Sequence, residues 1–256
     1  MRHSIVRISS AERTNKSSPT TDFEVSVQND AYMSRVVSIA LLEATIPSGA
    51  YNINQYNNKL YLDDQEGLQY ILTVPIGQYT QSDLFAWLNN VSNNPHFTIS
   101  QDPITKKYIA TKYAVPGAVQ FSIITSSMPN YMNALLGANI NVPLEITIPG
   151  TNLTNLPDLA GIRNFYITSS SLSDNNAMIS PTLPRLGVIA VVPNDSAFGG
   201  MVWYRANEEL IQAISYPSRH NGKNICNMDL QLRDLAGRLI DLNGLDWSVV
   251  FKIYYA

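Results

Sequence analysis

The hydrophobic pattern is most regular in the last thirty residues, where apolar and polar side chains alternate as in β-strands. Met228, Leu230 and Leu232 predict a first strand with one buried face. The final strand places its apolar side chains on one side: Trp247, Val249, Phe251, Ile253 and Tyr255. Residues 234–237 and Asn243-Gly244 predict tight turns, because Gly and Asn tolerate positive φ. We therefore expect consecutive antiparallel strands here, including one at 238–242.

Similar alternation predicts short strands through the rest of the chain. They are expected at 22–28, 36–46, 59–62, 69–74, 97–101, 108–112, 119–125, 163–169, 187–192 and 201–205. The run 207–216 fits a strand or a helix, and a strand is favoured. Residues 36–46 are apolar at nearly every position, which predicts a central strand covered on both faces.

Only two short helices are predicted. The first covers 81–91, with Thr80 as its N-cap and Asp83 three residues later in an approximate capping box. Its apolar stripe consists of Leu84, Trp87, Leu88 and Val91. The second covers 129–136 and is closed by Gly137.

This inventory of elements predicts the fold class. About ten short strands with frequent turn signals indicate an all-β protein, an antiparallel β-sandwich with one or two short helices in its loops. The long excursions between strands favour a single jelly roll. A chain of 256 residues is long enough for one such domain, or for a β-domain that carries an insertion. We expect an N-terminal arm at 1–20 and a jelly-roll domain at 21–256, with a polar excursion around 139–159.

Composition adds information about the surface. The chain is 45% hydrophobic and only 14% charged, which excludes disorder and lies well below the usual quarter of charged residues. A surface rich in Asn, Ser, Thr and Tyr suits a protein whose exterior is largely covered by neighbours. A secreted or polar-surfaced β-protein is the alternative.

Charge is unevenly distributed along the chain. The net charge is −3, but residues 1–20 contain Arg2, Arg7, Arg13 and Lys16 against Glu12 alone, so this segment is +3 and the remainder is −6. The segment ends in a polar stretch without periodicity, which predicts a basic arm lacking a core of its own. Ile5, Val6 and Ile8 are apolar enough to add to a neighbouring sheet edge. We expect removal of residues 1–16 to leave the fold intact.

The single cysteine and the N-terminus bear on the cellular compartment. Cys226 permits no intramolecular disulfide, and its position beside a strand predicts a buried, inert thiol in a reducing compartment. The N-terminus lacks the apolar region of a secretory signal, and no run approaches the length of a membrane span. We therefore expect assembly inside a cell without secretion, and no glycans. The sequons are then products of an Asn-rich composition: Asn15, Asn90, Asn152 and Asn194.

The sequence contains no recognisable catalytic constellation. His3, His96 and His220 are far apart and have no partners at metal-site spacing, so we expect no metal and no cofactor. Phosphate-binding loops and the HExxH, CxxC and GxSxG motifs are absent. The carboxylates at 63–66 do not match a calcium loop and indicate a hairpin tip. Residues 203–205 (Trp-Tyr-Arg) fit either a sugar-stacking surface or core and interface packing.

The order of several segments supports a resemblance to a known family. These segments are SAERT from residue 10, DFEVSV, VVSIALLEATIPSGAYNIN, TVPIGQYTQSDLFAWLNNV and LQLRDLAGRLIDLNGLDWSVVFKI. Together they resemble the single-jelly-roll penton, or minor capsid, proteins of double-stranded DNA viruses whose major capsid protein is a double jelly roll. Virophages, Polinton-like viruses and nucleocytoplasmic large DNA viruses contain such proteins. The resemblance covers most of 10–125 and 160–256, but not 139–159.

The resemblance implies a structural role rather than an enzymatic one. In that family five copies form a ring at each icosahedral vertex and contact major capsid protein trimers, with the N-terminal side toward the genome. It implies a homopentamer located in the virion. The cations of the basic arm, namely Arg2, Arg7, Arg13 and Lys16, would then face packaged DNA or inner capsid proteins. The alternative is a jelly-roll module that binds a carbohydrate or a receptor, such as a fibre head.

Overall fold

A computed structural model of the chain describes residues 2–27, 36–63, 69–113, 121–123, 132–138, 144–173, 187–207, 213–215 and 225–255. The strands are β1 (Arg2–Ser9), β2 (Asp22–Ser26), β3 (Val36–Pro47), β4 (Lys59–Asp63), β5 (Gln69–Thr73), β6 (Phe97–Gln101), β7 (Tyr108–Lys112), β8 (Phe121–Ile123), β9 (Leu144–Ile146), β10 (Thr151–Asn152), β11 (Asn164–Thr168), β12 (Val188–Pro193), β13 (Met201–Arg205), β14 (Ala213–Ser215), β15 (Asn227–Arg233) and β16 (Ser248–Tyr255). The helices are α1 (Gln81–Leu88) and α2 (Asn133–Leu136), and Ser10–Glu12 forms a 3₁₀ turn. Parts of the predictions lie outside the described residues: residue 28, 119–120, 124–125, 129–131, 139–143, 208–212, residue 216, His220 and the carboxylates of Asp64 and Glu66.

The chain divides into two compact units, Met1–Ala50 with Ile162–Ala256, and Tyr51–Gly161. In the first unit, one sheet has the order β1-β16-β3-β13, with β14 also pairing with β3. The other sheet has the order β12-β11-β15-β2, and all of these pairings are antiparallel. Because β13 and β14 both lie along β3, they count as one interrupted strand.

The strand order of the first unit defines its fold. The part of the unit that the structure describes has eight strands when they are counted in chain order and β13 with β14 is taken as the sixth. The first sheet then contains strands one, eight, three and six, and the second contains strands five, four, seven and two. Two antiparallel four-strand sheets of this order make a single jelly roll. The predicted fold class is therefore confirmed.

The core of the jelly roll is built from the alternating positions of both sheets. Its buried side chains include Ile39, Ile46, Phe165, Leu230, Leu232 and Phe251. β3 is the central strand of its sheet, as predicted, but it is not apolar on both faces. Glu43 is exposed on its outer side, so only the inner face of β3 belongs to the core.

The second unit is inserted between β3 and β11, the third and fourth strands of the jelly roll. The side-chain amide of Asn194 donates to Ile162 O at 2.7 Å and lies 3.3 Å from Ser48 Oγ. The two chain ends of the jelly roll at the insertion are therefore close together. The expectation of one jelly-roll domain over 21–256 is corrected here, because residues 51–161 form a core of their own.

The inserted unit contains two small sheets, β5-β4-β8-β9 and β10-β7-β6, and helix α1. Its core includes Leu60, Leu62, Leu84, Leu88, Phe97 and Tyr108. Asn52 joins the first and last segments of this unit: its amide donates to Leu159 O and Tyr79 O, and its Oδ1 accepts from Tyr79 N. The described part of the polar excursion contributes β9, β10 and the buried Leu153 to the same unit.

The helices differ from the predictions mainly at their ends. The capping box between Thr80 and Asp83 is present, as predicted. α1 ends at Leu88 because the side chain of Asn89 donates to Ile99 O and accepts from Ile99 N, which turns the chain toward β6. Val91 is therefore 60% exposed and does not belong to the apolar stripe.

The separate cores predict that the jelly roll folds without the inserted unit. Replacing residues 51–161 by a short Gly-Ser linker should leave a chain that unfolds cooperatively and retains a β-sheet circular dichroism spectrum. The short gap bridged by Asn194 makes the loop-closure cost small. Loss of cooperative unfolding in this deletion would show that the jelly roll depends on the insertion.

Candidate assembly surface

The N-terminal segment is part of the sandwich. β1 pairs with β16 along its whole length, from Arg2 opposite Tyr255 to Ser9 opposite Ser248. Ile8 is only 2% exposed and packs in the core. Residues 2–9 are therefore a strand added to a sheet edge, which corrects the arm without a core. The effect of removing residues 1–16 stays a prediction. Val6 and Ile8 face the core while Ile5 and Arg7 face outward, so apolar residues occur on both faces and the segment lacks a one-sided strand pattern.

Trp247 holds the chain segment that follows β1. Its indole Nε1 donates to Thr20 O at 2.7 Å, and its backbone N donates to Ser10 Oγ at 3.0 Å. Ser10 N donates in return to Trp247 O at 2.9 Å. The ring packs edge-to-face on Phe23 with centroids 5.6 Å apart. Because the side chain is only 2% exposed, these contacts are shielded from water.

A polar cluster continues this contact toward the surface. Ser10 Oγ donates to Asp246 Oδ1 at 2.7 Å. Arg13 Nη1 donates to Ser10 O at 2.9 Å and lies 3.4 Å from the same carboxylate oxygen. The Arg13 side chain is 17% exposed. Arg13 thus secures the N-terminal segment to the loop before β16.

The four cations predicted as one basic arm have different environments. Arg2 and Arg7 are exposed on β1, and Lys16 is exposed while its Nζ donates to Ala11 O. Arg13 is engaged with Ser10 and Asp246, as described above. Their contact with DNA or inner capsid proteins stays a prediction.

The turn after β15 shows why the closing segment has its particular residues. Asp234 Oδ1 accepts from the backbone N of Ala236 and Arg238, both at 2.9 Å, and Asp234 forms an ion pair with Arg238 at 2.7 Å. Gly237 has φ +77°, which disfavours a side chain there. The sequence therefore predicted this turn correctly.

The segment after that turn is not the second strand that the pattern predicted. Residues 238–242 form a single bridge, between Leu239 and Arg233. Ile240 and Leu242 are buried, so the alternation reflects burial without a paired ladder. The predicted turn at Asn243-Gly244 is confirmed: both residues have positive φ, and Asn243 Nδ2 donates to Gly49 O.

Asp229 secures a serine loop on the outer side of the second sheet. Its carboxylate accepts from the backbone N of Ser170 and Ser171 at 2.8 and 2.7 Å, and from the hydroxyls of Ser169 and Ser170 at 2.9 and 2.8 Å. Burial opposes the charge and raises the pKa of Asp229. The hydrogen bonds from Ser171 and Ser170 outweigh burial, so the pKa lies well below its ordinary value. The sequence analysis missed this contact, which joins residues about sixty positions apart.

The outer face of the first sheet exposes large apolar side chains. Trp203 on β13 is 78% exposed, and Ile5 on β1 is 64% exposed. Arg205 Nε lies 3.5 Å from Glu43 Oε1 on the neighbouring strand β3. Tyr204, which lies between Trp203 and Arg205 in the sequence, packs instead against the core. The sequence left residues 203–205 open between a sugar-stacking surface and packing, and the structure separates them by strand alternation.

The predictions about metal ligands, the thiol and membrane spans concern individual side chains and helices. Within them, no three His, Cys, Asp or Glu side chains are grouped so that they could hold a metal ion. Burial lowers the pKa of His96, whose ring packs against that of Tyr70 with centroids 4.7 Å apart.

Cys226 is exposed, which corrects the prediction of a buried thiol. In the same part of the chain, no helix combines the length and the apolar character of a membrane span.

The architecture is that of a single jelly roll with an inserted β unit. A family model described as a family of unknown function (DUF5901) matches residues 3–184, and the chain belongs to this family. No curated protein matches the chain. Among solved structures, the chain is similar to the mavirus penton protein, with 9% identity, complete coverage of both chains and a TM-score of 0.47. It is also similar to a chain of the Sputnik virophage structure, with 10% identity, 99% and 98% coverage and a TM-score of 0.47.

The environment of Trp247 predicts a large loss of stability on truncation. Trp247→Ala should lower the free energy of unfolding by about 3–5 kcal/mol, because it removes a buried ring and leaves Thr20 O without its donor. Chemical denaturation measures the change. The matched control is Trp203→Ala on the outer face, which should change stability by less than about 0.5 kcal/mol. Equal effects of the two substitutions would contradict the assigned burial.

The contacts of Asp229 predict a pH-dependent contribution to stability. Because its pKa is lower in the folded chain than in the unfolded one, the stabilisation is complete above the unfolded value of about 3.9 and is lost as the pH falls below it. Asp229→Asn should therefore cost about 1–2 kcal/mol at pH 7, allowing for partial solvent exposure, and the difference from the unmodified chain should shrink in acid. Denaturant titrations between pH 7 and pH 2.5 measure this. The control is Asp195→Asn at an exposed position. A stability difference between Asp229→Asn and the unmodified chain that stays constant with pH would contradict the assignment.

Proposed function

We propose that the protein is a structural protein of an icosahedral viral capsid, and that five copies form a ring at the vertex. The observation that carries the proposal is the jelly-roll strand order, taken with the location of the segments that resemble penton proteins. DFEVSV contains β2, VVSIALLEATIP is β3, and the closing segment contains most of β15, the turn and most of β16. Three of the five segments therefore include strands that build the sandwich, whereas TVPIGQYTQSDLFAWLNNV lies in the inserted unit and contains α1.

The surface is consistent with a role in assembly. Only 14% of residues are charged, and the first sheet exposes Trp203 and Ile5 to solvent. Aromatic residues are enriched where proteins contact one another. A vertex protein needs such contacts with its own copies and with the surrounding major capsid protein, and it needs no reactive centre.

The proposed partners include the double-jelly-roll major capsid protein and, through the N-terminal segment, packaged DNA or inner capsid proteins. The exposed positions of Arg2 and Lys16 leave both side chains accessible for such contacts. Arg13 is a poorer candidate because it is already engaged with Asp246. The corresponding location is the virion, with assembly inside the host cell.

Co-assembly with the major capsid protein of the same virus tests the proposed function. Both proteins are produced together and the particles are imaged by electron cryo-microscopy. Density for this chain should occupy the fivefold vertices, and light scattering of the released ring should give about 142 kDa, five times the 28.4 kDa chain. Particles whose vertices lack this chain would refute the proposal.

A second candidate function is a jelly-roll module that binds a carbohydrate or a receptor. The observation that favours it is the exposure of Trp203 beside the Glu43–Arg205 pair, since sugars stack on aromatic rings and hydrogen-bond to charged side chains. Glycan-array binding that Trp203→Ala abolishes would support this function.

A further inference from the structure

The outer face of the first sheet carries a net positive charge. Strand alternation identifies its side chains: Val6, Phe251 and Val202 pack in the core, so Arg7, Lys252 and Arg205 project outward. Glu43 is the carboxylate of this face among the strand residues that the structure describes. Three cations and one carboxylate leave +2, although the whole chain has a charge of −3.

The outer face of the second sheet carries the opposite charge. Phe23, Met228, Leu230 and Leu232 point into the core, so Asp22, Glu24, Asp229 and Arg233 lie on the outer side of β2 and β15. β11 and β12 contain no charged residue. Three carboxylates and one cation leave −2 on this face.

We propose that the outer face of the first sheet in one copy packs against the outer face of the second sheet in the next copy. This inference rests on the proposed function, which requires a ring of identical chains. Opposite charges attract the two faces and select their orientation. Because the two faces are different surfaces, the contact is head-to-tail and closes into a ring by rotation.

The charges also disfavour the alternative arrangement. Packing two first-sheet faces together in a twofold dimer would bring together two surfaces that each carry +2. Two second-sheet faces would likewise bring carboxylates together. Like-charge contacts of this kind are unfavourable, so the distribution of charge favours a cyclic assembly over a twofold one.

Trp203 and Ile5 provide the apolar part of the contact. They lie on the two edge strands of the first sheet, β13 and β1, which also carry Arg205 and Arg7. Trp side chains often contribute much of the binding energy when a partner covers them. The partner face offers Tyr166 of β11, which lies opposite Arg233 of β15 in the sheet register.

Charge reversal and its compensation test the proposal. One variant carries Arg7→Glu with Lys252→Glu, and a second carries Asp22→Lys with Glu24→Lys. Sedimentation velocity over a range of protein concentrations measures self-association, and circular dichroism checks folding. Either double variant should weaken self-association by about tenfold or more, and the chain carrying all four substitutions should recover it, because the reversed faces attract again.

Three further measurements sharpen the test. Lys106→Glu with Lys107→Glu, in the inserted unit, matches the charge change of the first variant and should leave self-association unchanged. Trp203→Ala should weaken association without loss of stability. Raising the salt concentration should weaken association of the unmodified chain, since salt screens exposed charges.

Several outcomes would overturn the inference. The inference is wrong if either charge-reversal double variant folds and still associates as the unmodified chain does. It is also wrong if the chain carrying all four substitutions fails to recover association. If Arg7→Glu with Lys252→Glu reduces DNA binding while self-association is unchanged, the positive face binds nucleic acid instead of a second copy. A chain that is monomeric at every concentration would overturn the pairing of faces, whereas the vertex assignment is judged separately from the particle images.

Discussion

Pairing of the first strand with the last is the constraint on which the jelly roll depends. β1 covers the edge of β16, and Trp247 at the start of this pairing joins Ser10, Thr20 and Phe23 in one buried contact. The two ends of the chain therefore stabilise each other. An edge strand left uncovered would expose backbone donors and acceptors and the apolar side chains beneath them.

The middle of the chain forms the second unit. The jelly roll is interrupted between its third and fourth strands, where Asn194 bridges the two ends, and the inserted unit closes itself through Asn52. Two cores in one chain explain how 256 residues form a single jelly roll of modest size. The exterior of the jelly roll is then defined by two sheet faces of opposite charge.

Much of the local structure was predictable because burial of one sheet face imposes a period of two. The alternation in β15 and β16, the capping box at Thr80 and the turn at Asn243-Gly244 all depend on neighbouring residues. The candidate surface was less predictable from the sequence. The sequence leaves Trp203 open between a binding surface and packing, because its exposure depends on which face of β13 packs on the core.

The sequence by itself determined most of the strands and turns and the fold class, because side-chain alternation and turn chemistry act over a few residues. Only the tertiary structure decided that residues 2–9 are a strand, that Arg13 binds Asp246, and that 51–161 form a separate unit. It also decided which charges share a face. These features depend on contacts between distant segments, and short-range patterns carry no information about which segments will meet.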